Sequence, residues 1–238
     1  MASPFDDLFA VEAGSAFARQ LALADLVDDR PWNVDIDRGE IAFGNDLTFP
    51  VQILGTAAEQ DNSWLWAWAN SQSDLPPAIL KACERIRVVG AERGIEEFSA
   101  PRFALDRVTD HMLAMACGAV VDRSCYYRGP YQGGAAFFLL ENLPAAIRAP
   151  VPAERVGLIL PQVISNFEVD HRVMAENFLR QQGFALEAKP ASISAKREAD
   201  GAEFTLSFDP QGRIAKVDGV IKPKESQQPG SKKSWWKP

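Results

Sequence analysis

The run Ser63-Trp64-Leu65-Trp66-Ala67-Trp68-Ala69-Asn70 places three tryptophans at every second position. A period of two belongs to a strand, so Trp64, Trp66 and Trp68 are expected to project from one face of one β-strand. Each indole buries about 150–250 Å², and three together present on the order of 600 Å², worth roughly 15 kcal/mol gross at 25 cal/mol per Å². Monomers rarely leave a patch of that size in water. The face is therefore either core, packed under a helix, or a binding surface for an apolar ligand, a partner or a second copy of the chain.

The segment before it supplies a candidate cover. Phe5, Phe9, Ala13, Ala16, Phe17, Leu21 and Ala24 recur at spacings of three and four, which predicts an amphipathic helix. Ser3 can cap it, Pro4 suits its first turn, and Asp6 and Asp7 complement its dipole. The polar turn Glu59-Gln60-Asp61-Asn62 then folds Leu47–Thr56 back onto the tryptophan strand, and a regular register sets Ala57 against Trp64, Gly55 against Trp66 and Ile53 against Trp68. Glycine and alanine opposite an indole leave it room to lie across the neighbouring strand. Asn70 and Gln52 are candidate acceptors for the buried indole N–H groups.

Elsewhere the pattern alternates between strand and helix. Trp32, Val34 and Ile36, followed by Arg38-Gly39, Ile41 and Phe43, read as a hairpin. Ile79, Leu80, Cys83 and Ile86 mark a helix with Asp74 as its cap and Gly90 or Gly94 as its end. Phe98–Leu105 reads as a strand pushed to an edge by Pro101, and Val108–Val121 as a helix apolar nearly all round. Ser124–Arg128 and Ala135–Leu140 read as strands joined by a loop, Gly129–Gly134. Beyond Ala145–Pro152, a helical face from Val156 continues to Gly183 with a kink at Pro161, and four strand-like runs from Phe184 to Ile221 form an antiparallel meander. The expected architecture is α+β: antiparallel hairpins and meander packed with helices, then a smaller helix-plus-antiparallel-meander unit. Residues 1–148 form the first domain, 149–221 the second, and 222–238 a disordered basic tail ending in Trp235 and Trp236.

Ser63–Asn70 resembles the hallmark of a family of uncharacterised bacterial proteins defined as a domain of unknown function. The lead-in Trp32–Asp37, the strand Gln52–Gly55 and Tyr127-Arg128-Gly129-Pro130 are similar to its pattern too, over roughly Phe5 to Leu143. The resemblance implies kinship and no particular chemistry.

A formal charge of -7 and a pI near 5.0 argue against nucleic-acid binding by the body of the protein, which needs a basic field. The first residues have neither the basic nor the apolar region of a signal peptide, and no apolar run reaches the roughly 18 residues of a span, so a cytoplasmic location is expected. Cys83, Cys117 and Cys125 show no paired spacing and read as free buried thiols; no metal site and no cofactor is expected. His111 and His171 each follow an aspartate, but neighbours on a helix do not face one another.

Two stretches retain binding chemistry. In Tyr126-Tyr127-Arg128-Gly129-Pro130-Tyr131 an arginine among tyrosines can grip a carboxylate or phosphate, and Tyr126, Tyr127, Arg128 and Tyr131 are the candidate residues. In the tail, lysines around Trp235-Trp236 can attach to a protein partner or weakly to a membrane interface. The leading expectation is a non-enzymatic binding or adaptor protein, chaperone-like, acting through a sheet face or the tail. The alternative is an enzyme or small-molecule binder holding an anion at Arg128.

Overall fold

The structure, a computed structural model, describes residues 2–221. The tail with Trp235 and Trp236 lies outside the described residues.

The first helix, α1 (Pro4–Val27), opens with the expected cap: Ser3 Oγ accepts from Asp6 N at 3.2 Å, and Asp6 accepts from Ser3 N at 2.9 Å. It is less amphipathic than its Phe spacing suggested. Ala13, Gly14, Ser15 and Ala16 are consecutive and all buried, which requires neighbours on every side. Those neighbours come from both halves of the chain: α4 (Asp110–Val120) and β6 (Cys125–Tyr131) on one side, α5 (Ala145–Arg148), α6 (Ala153–Asn166) and α7 (His171–Gln181) on the other. The Phe stripe divides accordingly. Phe5 stacks edge-on against Phe98, 6.1 Å between centroids, whereas Phe9 and Phe17 pack against Phe167 at 5.5 and 6.1 Å. Gly14 is the closest crossing: a Cβ there would lie 2.6 Å from Cβ of Phe178 on α7.

The larger sheet is antiparallel and seven-stranded. It runs β1 (Trp32–Asp35), β2 (Glu40–Phe43), β3 (Leu47–Ala58), β4 (Ser63–Trp66), β5 (Arg102–Ala104), with β7 (Gly134–Leu140) also on β3 and β6 beyond β7. Gly55 pairs with Trp66 and Ala57 with Trp64, as the turn spacing required. Trp64 and Trp66 are completely buried, 5.5 Å apart and edge-to-face, with Phe137 and Phe98 against them. The tryptophan face is core, reached by α1 through Phe98, and offers no surface to a second copy.

The third tryptophan does not continue the strand. Ala67–Ala69 turns into a 3-10 helix, so Trp68 never faces Ile53. The strand β5 on its other side explains the break. Leu65 pairs with Arg102, the next residue is Pro101, and proline accepts from Trp66 N but has no N–H to return. Trp68 is half-buried instead, with the Arg87 guanidinium 4.8 Å from its ring. Neither expected acceptor serves an indole: Gln52 bonds Ala78 O and Ala82 N, Asn70 bonds Ser73, and Trp66 Nε1 donates to Glu97 O at 3.0 Å.

Other departures have equally local causes. Helix α2 (Lys81–Arg93) starts after Pro76-Pro77 and not at Asp74, because residues preceding proline avoid helical backbone; it ends at Gly94, in the left-handed conformation. Phe98 sits in a short helix, α3 (Glu96–Ser99), and not in a strand. The segment expected as a loop, Gly129–Gly134, is mostly β-ladder: β6 and β7 pair to Tyr131↔Gly134 across a two-residue turn. Gly129 is there for space, since a Cβ would lie 2.8 Å from the Trp32 ring, which folds across β6. Helices α6 and α7 are separate. Pro161 is accommodated inside α6, and the break falls where Phe167 turns extended and Asp170 caps α7.

The second sheet is the expected meander, in spatial order β11 (Ile214–Val220), β10 (Ala202–Phe208), β9 (Ser192–Arg197), β8 (Ala185–Lys189). Strand β10 alternates buried and exposed along Ala202, Phe204, Leu206 and Phe208, so one face is core and the other is solvated.

Gly55 is the tightest point of the tryptophan strand: an added Cβ would stand 2.4 Å from Leu65 O and 3.0 Å from the Trp64 ring. Gly55→Ala is therefore expected to destabilise the fold by about 1–3 kcal/mol, measured as a lower urea midpoint at unchanged m-value. An unchanged midpoint would refute this packing.

Candidate functional site

Strand β6 carries the tyrosines and arginine singled out from sequence, and its alternation sends them to different places. Tyr126 points inward, where its hydroxyl lies 2.5 Å from His111 Nδ1 and its ring packs on Phe137. Burial raises the Tyr126 pKa, and the Asp110 carboxylate raises it further. Tyr127 points to the opposite face, between Trp32 and Phe43 at 5.3 and 4.8 Å. Arg128 lies beside a cavity of about 250 Å³ bounded by Glu59, Asn62, Thr109 and Asp110, and its Nε is 3.5 Å from the Asp110 carboxylate. Tyr131 is 50% exposed at the hairpin end. The structure thus joins Tyr126 to His111 and Arg128 to Asp110, but does not assemble the four residues around one ligand. With two carboxylates on its wall, the Arg128 cavity already holds the counter-charge an anion would supply.

The other reactive types are engaged structurally. His171 Nδ1 accepts from Ile214 N at 3.1 Å, tying α7 to β11. The three cysteines are buried and free; burial pushes the Cys83 and Cys125 thiols up to about 11 and holds Cys117 well above its ordinary value. Among the described residues no cluster of His, Cys, Asp or Glu could hold a metal ion.

A different arrangement stands at the opposite end of β6. Glu12, Ser15 and Arg19 lie on one stripe of α1, at spacings of three and four. This stripe points into the protein because α1 is covered all round. Each of the three leaves a buried polar atom without a partner: Glu12 Oε2, Ser15 Oγ, and both Nε and Nη2 of Arg19. Arg19 is only 6% exposed. It lines a cavity of about 110 Å³ with Ser15, Arg123, Arg148 and Gln181, whose Oε1 is also buried and unpartnered. Arg123 and Arg148 also wall an adjoining cleft of about 690 Å³ that opens past Gln52 and Asn142.

Local sequence explains how the cations converge. Helix α4 ends in a tight turn in which Ser124 N donates to Gly118 O and Val121 O, while Asp122 and Arg123 both take left-handed backbone at φ 52°. A Cβ on Gly118 would lie 2.5 Å from Ser124 O, so the turn closes only there. It presents Arg123 at the mouth of the cavity, and α5, started by Pro144, presents Arg148 beside it. Burial lowers the pKa of Arg19; Cys125 and Glu12 oppose that, and the two other arginines add to it. The direction records a guanidinium taken out of water; Glu12 is near enough to act on it, and Nε and Nη2 of Arg19 still lack hydrogen-bond partners.

A second buried arginine in the same molecule shows what a completed site looks like. Arg197, 5% exposed, is paired with Asp200 through two nitrogens, donates to Val151 O and Gln182 O, and lies 4.7 Å from the centroid of the Phe184 ring. Arg19 has no comparable set. The signal was present in the sequence: Arg19 is the sole Lys or Arg in α1, amid apolar neighbours.

Fold and site together define an α+β protein in which a curled antiparallel sheet and a four-stranded meander share one buried helix, with a cationic cavity beside that helix. The chain belongs to a family of unknown function, DUF6882, whose match spans residues 6–143 and so contains α1 from Asp6 onward, the tryptophan strand and Arg123. No curated protein and no solved structure matches it.

The cysteine environments give a direct check. Thiols with folded pKa near 11 are about one part in a thousand ionised at pH 8, so the native protein is expected to react with a thiol reagent only as it unfolds. Their contribution to stability is complete below pH 9, where the unfolded thiol is still protonated. It is lost as pH rises from 9 toward 11. Cys125→Ala should flatten that decline; rapid labelling of native protein at pH 8 would contradict the burial.

Proposed function

We propose that this protein is a non-enzymatic binding protein that takes an anionic ligand into the cavity lined by Arg19, Arg123 and Arg148. The observation that carries the reading is Arg19 itself: a guanidinium removed from water, with Nε and Nη2 unpartnered and two further cations beside it. Leaving a buried charge uncompensated costs several kcal/mol, and an anion entering from the adjoining cleft recovers that cost. The ligand-holding arginines are thus at the Ser124 end of β6, and Arg128 at the other end is a weaker candidate because Asp110 already neutralises it.

The adaptor reading is kept for the second half of the chain. Residues 149–221 are proposed as an appended unit, and the tail 222–238, with Trp235 and Trp236, as a contact segment for a protein partner in the cytoplasm. What supports it is the edge of β11, which pairs with no further strand among the described residues, and the exposed Val220 and Ile221 at its end.

Replacing Arg19 by Met exchanges a buried unpaired charge for an apolar side chain of similar length. The ligand-free variant is expected to be as stable as wild type or more stable. Across a panel of oxyanions at constant ionic strength, one at a hundredfold its Kd should stabilise wild type by about 2.7 kcal/mol, a Tm rise of about 5–10 °C, and leave Arg19→Met unmoved. A ligand-free Arg19→Met protein that unfolds, or no anion that separates the two, would refute the reading.

A further inference from the structure

Resting on the anion-binding reading of this cavity, we infer that its ligand is a phosphate group carrying at least one hydrogen, held as a tetrahedral oxyanion by Arg19, Arg123 and Arg148. Three observations narrow the chemistry to that class.

The cations arrive from three separate elements: α1, the turn before β6, and α5. A carboxylate offers about four lone-pair sites, all in one plane, of which a bidentate guanidinium takes two, so cations arriving from three separate directions meet it less fully than they meet a tetrahedral oxyanion. A phosphate offers oxygens in several directions and carries up to two charges near neutral pH. That charge suits three guanidinium groups set against the single carboxylate of Glu12, which acts on Arg19 in the ligand-free protein.

The cavity also wants a donor. Gln181 and Ser15 both line it, Gln181 Oε1 accepts from nothing, and Ser15 Oγ is free to donate or accept. Sulfate and acetate are fully deprotonated at pH 7 and leave Gln181 Oε1 orphaned at the cost of a lost hydrogen bond. Hydrogen phosphate satisfies it with its own O–H while its remaining oxygens accept from Arg19 Nε and Nη2.

Size sets the third limit. At about 110 Å³ the closed part holds a few waters or one tetrahedral oxyanion, and no nucleoside. It shares Arg123 and Arg148 with the 690 Å³ cleft, which is where an organic remainder of the ligand would lie, against Gln52, Glu141 and Asn142. Two neutral amides and two acids, Asp122 and Glu141, suit a hydroxyl-bearing remainder better than an apolar one. Free hydrogen phosphate carries that hydrogen at pH 7, and a phosphate monoester, whose second pKa is about 6, supplies it only when bound as its monoanion; in that form the two are sources of one recognised group.

The test is calorimetric titration of the full chain at pH 7 and fixed ionic strength with inorganic phosphate, sulfate, acetate and glycerol 3-phosphate. Inorganic phosphate should bind at least tenfold tighter than sulfate or acetate. Arg123→Ala and Arg148→Ala, at exposed positions, should each weaken it about tenfold. Gln181→Met should bring phosphate down to the level of sulfate while leaving sulfate unchanged. Glycerol 3-phosphate binding tighter than inorganic phosphate assigns the cleft to an organic remainder; equal or weaker binding identifies the free anion as the ligand, and both sustain the inference. Sulfate or acetate binding as well as phosphate, with Arg19→Met abolishing all three, overturns the phosphate assignment and leaves an unselective anion site. No binding by any of the four, in wild type and Arg19→Met alike, overturns the phosphate inference and, with it, the anion-binding reading for these ligand classes.

Discussion

Burial of α1 on every side is the constraint from which the rest of the structure follows. A helix with one apolar stripe can rest on a sheet and turn its other side to water. This one is covered by α4 and β6 from one half of the chain and by α6 and α7 from the other, and the buried hydrophobic residues form a single cluster from Phe5 to Phe208. Gly14 lets Phe178 approach the helix backbone. The same arrangement leaves the polar stripe Glu12, Ser15 and Arg19 nowhere to go but inward. Function and architecture meet at that stripe: a position that packing alone would fill with leucine or methionine carries a charge.

The larger sheet depends on a second, repeated device. Gly55 gives the Trp64 ring its place, and Gly129 does the same for Trp32. Each indole lies across a neighbouring strand at a point where that strand carries no side chain. Gly55 and Gly129 therefore join Gly14 and Gly90 as positions where an added Cβ has no room.

Much of this was legible in advance. Strand period, turn chemistry and the Gly-Trp pairing specified the register of β3 and β4, and Ser3 and Asp6 behave as their local spacing demands, whereas the cap at Asp170 that separates α6 from α7 was not read from the spacing. What was hidden depends on distant residues. Trp68 leaves the strand because Pro101, remote in sequence, ends the ladder beside it. Phe98 enters a short helix because α2 packs tightly against it at Gly90. The site was less legible than the fold. Arg128, conspicuous among tyrosines, is matched by Asp110 in three dimensions. Arg19, inconspicuous in a helix counted for its phenylalanines, meets Arg123 and Arg148 only once α4, α5 and α7 close around it. Charge balance in a cavity is a property of the folded chain, and one-dimensional spacing does not record it.

Membership of a family of unknown function leaves the physical state of Arg19 as the firmest guide to activity. Its side-chain Nε–H is directly visible by nitrogen-15 NMR and can be assigned by its absence from Arg19→Met. In the ligand-free protein, that resonance is expected to lack the downfield shift of a strong hydrogen bond. It should move downfield and exchange more slowly with water as phosphate is added, in step with the calorimetric binding curve. A resonance already downfield before any anion is added, or one that saturating phosphate leaves in place, would contradict the central claim that Arg19 is a buried cation awaiting its anion.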